Sequence, residues 1–149
     1  LATSFSVFPD GTIWSNNING EGGYDLVLLG RMDSTPINVD ELQQRLERTG
    51  YAPVSQSLNE VGFHSAVEFL ATYAGRASDL RPFVANAQIN EDMSLRLQYL
   101  AGLGLNSMAF QNIYRNILAY RRFPEGVLVG SGGRMDALRT LLRPLVVSR

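Results

Sequence analysis

The spacing of apolar and polar positions divides this chain into two regimes. Residues 4–29 carry short apolar clusters separated by turn formers, which is a β pattern. Ser4-Phe5-Ser6-Val7-Phe8 reads as a short strand, and Pro9-Asp10-Gly11 after it as a tight turn. Thr12-Ile13-Trp14 resumes the β run. Asn16 to Gly23 is polar and glycine-rich and reads as a loop. Tyr24-Asp25-Leu26-Val27-Leu28-Leu29 reads as a buried strand that ends at Gly30.

Beyond residue 36 the period becomes helical. Asn38 stands three residues before Glu41, the spacing of a capping box, and Leu42 and Leu46 follow on one face before Gly50. Pro53 opens a second helix carrying Val54, Leu58 and Val61. Ser65 and Glu68 form another capping box, starting a helix with Ala66, Phe69, Leu70 and Tyr73 on its apolar side. One more turn is expected over 79–84 and irregular chain over 86–101. A long helix is expected from 106 or 107 to about 122, broken by Pro124 and the glycines of 126–133, and a last helix over roughly 135–146. Strands first and helices after give an α+β class: a β segment over 1–35 and a helical region over 36–149, together one structural unit.

The chain has 149 residues and a net charge of −1, which fits one ordinary domain and disfavours a strongly basic nucleic-acid binder. It has no cysteine, so disulfides, thiolate zinc sites and cysteine nucleophiles are excluded. All 13 basic residues are arginine, which removes Schiff-base and phosphate-loop lysines. One histidine, His64, excludes a multi-histidine metal site. No apolar run approaches the ~20 residues of a membrane-spanning helix. The first residues do not form an intact signal peptide. A strand this close to residue 1 is expected of a piece of a longer protein, or equally of a complete domain trimmed at its edge.

Three segments together resemble the C-terminal part of bacterial spermidine synthase-like proteins, above all the forms fused to a membrane-spanning region. The first is Ser4 to Trp14 followed by Tyr24 to Gly30, which looks like the two late strands of that family's methyltransferase-like sheet. The second is Ile37-Asn38-Val39-Asp40-Glu41-Leu42, leading to Leu58, Gly62 and Phe69-Leu70-Ala71. The third is Ile89-Asn90-Glu91-Asp92-Met93-Ser94-Leu95-Arg96-Leu97-Gln98-Tyr99-Leu100-Ala101. It is similar to a family segment running Ile-Asn-Thr-Asp-Asp, a gap, Pro, then Leu-Glu-Phe or Leu-Glu-Tyr. Glu91, Met93, Leu95 and Gln98 depart from that pattern.

The resemblance implies that the whole protein moves an aminopropyl group from decarboxylated S-adenosylmethionine to a polyamine. It also implies a place on the cytoplasmic side of the membrane. The family's glycine-rich cofactor loop and aspartate-rich catalytic loop precede the late strands and are not in this chain. No cofactor is therefore expected to bind here, and the chain alone is expected to be inactive. Expected partners are the rest of a parent chain, a polyamine, and a second copy joined through an exposed strand edge.

Asn90, Glu91 and Asp92 are the candidate substrate-binding residues, because carboxylates pair with ammonium groups through charge-assisted hydrogen bonds. The same residue types also favour turns and caps, so a turn is the competing reading. His64 reads as a surface or capping residue, and Trp14 as strand packing rather than a substrate platform. The glycine cluster 126–133 lacks the βαβ context of a nucleotide fingerprint and reads as a connection into the last helix. No nucleophile-elbow motif is present. A helical interaction or regulatory module without catalysis is the alternative function.

Overall fold

The computed structural model describes residues 1–18, 21–33, 35–91 and 110–143. The chain is mixed helix and sheet, as an α+β class requires. In order it forms α1 (Ala2–Val7), β1 (Thr12–Ile18), β2 (Glu21–Leu29), β3 (Ile37–Asn38) and α2 (Val39–Leu46). A 3-10 turn (Thr49–Tyr51) leads to α3 (Ala52–Glu60), α4 (Ala66–Leu70), β4 (Tyr73–Arg76) and α5 (Ala77–Val84). Last come α6 (Phe110–Ala119), β5 (Leu128–Val129) and α7 (Gly132–Leu141). No described helix is long and apolar enough to cross a membrane.

The described residues fall into two units, one drawn from 1–33 and 74–122 and the other from 35–73 and 123–143. The first unit is built on a sheet of order β2-β1-β4. β1 and β2 are antiparallel, with Thr12 opposite Leu29 and Trp14 opposite Val27, and the register shifts between Ser15 and Asn17. At that bulge the Asn16 side chain replaces a rung of the ladder, its Oδ1 accepting the Asp25 N–H at 3.1 Å. The central strand carries the core: Ile13, Ala74, Leu80, Ile117 and Leu118 are buried together.

Several expectations fail here. Residues 4–8 are not a strand, because α1 covers 4–7 and Phe8 is its C-cap. Leu1 and Phe5 stand four apart, so one turn of helix sets both against the core, and that packing overrides the β-prone composition of this segment. The turn at 9–11 forms as expected, the Gly11 N–H donating to the Phe8 carbonyl at 2.9 Å. The polar run from Asn16 to Gly23 is not a loop, since most of it is paired strand, with Ile18 opposite Glu21. β2 is a strand as expected but not a buried one: Val27 is 58% exposed, and Leu28 and Leu29 are each 44% exposed. β1 lies on one side of it, and among the described residues the sheet ends there.

The second unit joins a two-strand parallel pair, Ile37 opposite Leu128 and Asn38 opposite Val129, to helices α2, α3, α4 and α7. Each predicted capping box forms its N-cap half, while the Glu41 carboxylate accepts from the Asn38 side-chain amide and that of Glu68 from the His64 N–H instead of the N-cap N–H. Asn38 Oδ1 accepts from the N–H groups of Asp40 (3.0 Å) and Glu41 (3.2 Å), and Ser65 Oγ accepts from Glu68 N–H (3.2 Å). Gln43 reaches from α2 to accept the Ala66 N–H at 2.8 Å, so one helix caps the start of another.

α3 ends in a Schellman motif. Gly62 takes φ +89°, the Phe63 N–H donates to the Leu58 carbonyl at 2.9 Å, and Gly62 N–H donates to Asn59 at 3.0 Å. The left-handed turn suits glycine because it has no Cβ to clash. α4 stops at Leu70, and Tyr73 lies in β4 instead of on the helix. The expected long helix is described over Phe110–Ala119, and its start at 106–109 lies outside the described residues. The last helix begins at Gly132, three residues before its expected start.

Ile13 and Ile117 are fully buried. Replacing either by alanine is expected to cost about 2–5 kcal/mol in denaturant unfolding. Val7→Ala, at a position 63% exposed, should stay within about 0.5 kcal/mol of the parent chain.

Candidate functional site

The expected substrate residues lie at the end of the described part of the first unit. Asn90 is half-buried, and its backbone N–H donates to Thr3 Oγ1 at 2.8 Å across 87 positions of sequence. Glu91 next to it is exposed. Asp92 lies outside the described residues. The bond to Thr3 pins this segment against α1, just ahead of the β1–β2 hairpin. Asn90 and Glu91, in the described part of the acidic segment, therefore sit in the same unit as the strand segments.

A second polar cluster was not anticipated. β5 ends at Val129, and Gly130-Ser131-Gly132-Gly133-Arg134 turns the chain into α7. The first N–H groups of a helix have no partner within it and carry the positive end of the helix dipole. Asp40, in the first turn of α2, supplies the missing acceptor. Its carboxylate accepts from the Ser131 N–H at 2.5 Å, from the Ser131 hydroxyl at 2.8 Å and from the Arg134 guanidinium. Gly130 permits the approach. A Cβ there would stand 3.2 Å from Val39 Cβ and 3.3 Å from Asp40 Oδ2.

The Ser131 hydroxyl and then the Ser131 N–H hold the Asp40 carboxyl below its ordinary value of 3.8. Arg134 adds to this, and partial burial opposes it. The glycine cluster does lead into the last helix, as its sequence suggests. Its chemical character is an anion seat, which the chain fills with its own carboxylate. That seat is a clamp, because both oxygens of the carboxylate are held by Ser131 and Arg134.

His64 is exposed, with Nδ1 3.1 Å from Asn59 Oδ1 and its backbone N–H donating to Glu68 Oε2 at 2.6 Å. This is the surface and capping role its sequence context implies. Beside it, between the end of α2 and α3, runs a groove of about 620 Å³ with Glu47, Arg48, Asn59 and Glu60 among its walls. Gln43 and Gln56 already donate to Glu47 and Glu60 at 2.8 and 3.1 Å. Trp14 is half-buried, its indole N–H donating to Thr12 Oγ1 at 2.9 Å, which is strand packing. Among the described residues no group of three or more His, Asp or Glu is placed to hold a metal ion. No family model, curated protein or solved structure matches the chain.

The Asp40 clamp has a definite pH signature. Its folded pKa is lowered, so its contribution to stability is complete above the unfolded value and disappears as pH falls through the folded one. Thermal melts of the parent chain and Asp40→Ala should show the variant less stable at neutral pH, with the gap closing as pH falls below 3.8 and through the lowered folded value. A gap that does not change with pH would contradict this assignment.

Proposed function

We propose that the chain is the C-terminal portion of a spermidine synthase-like protein and helps to hold a polyamine. The reading starts from the resemblance in the strand segments and in Ile89 to Ala101. The observation that carries it is the Thr3–Asn90 hydrogen bond, which joins the described start of the acidic segment to the hairpin unit, with the exposed Glu91 next to it. A carboxylate in that position suits an alkylammonium group, which it can bind by charge-assisted hydrogen bonding.

Aminopropyl transfer asks a protein to keep the acceptor amine deprotonated and to align it with the sulfonium carbon of decarboxylated S-adenosylmethionine. In this reading the chain supplies late strands and one wall of the amine pocket. The nucleoside-binding loop and catalytic acids belong to the preceding part of the parent, where the family carries them. The second reading, a non-catalytic interaction module, draws its support from the exposed apolar residues Val27, Leu28 and Leu29.

Calorimetry separates the two. The amine-pocket reading expects saturable heat with putrescine or spermidine and about two- to fivefold weaker binding by Glu91→Gln, the range for an exposed ion pair. It also expects no aminopropyl transfer by this chain alone. Transfer by the chain alone would contradict the accessory role. Absence of amine binding in both the chain and a parent containing it would leave the interaction-module reading.

A further inference from the structure

We propose that β2 is a self-pairing edge: two copies of this chain join by antiparallel pairing of their β2 strands about a two-fold axis through Val27. This goes beyond the amine reading and does not depend on it. The Asp25 N–H faces β1, where Asn16 Oδ1 accepts it. Backbone direction alternates along a strand, so the N–H and C=O groups of Val27 and Leu29 also face β1, and those of Leu26 and Leu28 face away. Among the described residues β2 is the end of its sheet, so these outward groups form an open template.

The side chains say the same. Val27, Leu28 and Leu29 are consecutive, so they project to opposite faces, and all three are exposed. A run of this kind is the pattern of a strand covered on both sides. Natural edges are blunted by lysine, proline, an inward charge or a bulge. From Leu26 to Leu29 there is no charge and no proline, and the two extra residues that the register shift places on β2 lie before this run, between Gly22 and Leu26.

The charge pattern selects a second copy as the occupant. With Val27 on the axis, Leu26 lies opposite Leu28 of the second copy, and each such pair exchanges both of its main-chain hydrogen bonds. Asp25 then lies opposite Leu29 of the second copy, so no like charges meet, and the carboxylate keeps its bond to Asn16. The apolar run meets itself. Growth stops at two copies, because at the far edge of each sheet β4 has only four residues and the first three are buried.

Light scattering on the chain, with no amine present, should give a mass that rises with concentration from one copy to two. Val27 is exposed, so charged replacements leave the core intact, which circular dichroism would verify. On the axis, Val27→Asp and Val27→Lys each place like charges face to face and should be monomeric. Mixing the two variants should restore the dimer as a one-to-one pair. A parent chain that stays monomeric, single variants that dimerise as well as the parent, or a mixture that stays monomeric overturns the proposal. A monomeric parent would mean that β2 is made for a strand from another source.

Discussion

The first unit depends on the ladder between Thr12–Ser15 and Leu26–Leu29. By pairing antiparallel with β2, β1 becomes the middle strand and turns Ile13 into the core, where Ala74, Leu80, Ile117 and Leu118 close over it. The same pairing commits β2 to the edge. A strand has two hydrogen-bonding sides, and β1 can satisfy only one. Among the described residues no other strand takes the second side of β2's apolar run, and both readings of the protein meet at that feature. It is a strand suited to a larger sheet than the one it is in.

The second unit is held by a different kind of interaction. A two-strand parallel pair is marginal as a structural element. Asp40 reinforces it by bridging the start of α2 to the start of α7, 91 positions apart. The carboxylate completes a helix terminus that its own Ser131 does not cap. Gly130 beside it gives a close approach that a side chain would crowd. The loop between β5 and α7 has the chemistry of an anion site, and the fold uses it to bind itself.

What was legible in the sequence was local. The Asn38–Glu41 and Ser65–Glu68 spacings are local signals, and both N-caps form. So do the turn at Pro9-Asp10 and the proline-opened α3. The hairpin had a signal that composition obscured: Asn19-Gly20, the two residues between paired Ile18 and Glu21, is among the strongest short hairpin dipeptides. Contacts distant in sequence stayed hidden. Nothing near Ile37 announces a partner at Leu128, and nothing near Asp40 announces Ser131. Residues 4–8 misled because Phe5 and Val7 alternate like a strand, whereas the pair that the core takes up is Leu1 and Phe5. β2 misled because a two-sided apolar run implies a burial that β1 alone does not provide. Of the candidate substrate residues, Asn90 is tied to the hairpin unit through its backbone. That tie depends on Thr3, 87 positions earlier, and no local pattern shows it.

The most direct test of this account is residue-resolved amide hydrogen exchange along β2 at low and high protein concentration. Val27 and Leu29, whose amides face β1, should be protected at both concentrations. Leu26 and Leu28 should exchange fast when dilute and slow down when concentrated. Equal protection of all four when dilute would show that the outer side of β2 is already covered within one chain. Equal and fast exchange of Leu26 and Leu28 at both concentrations would show that this edge pairs with nothing.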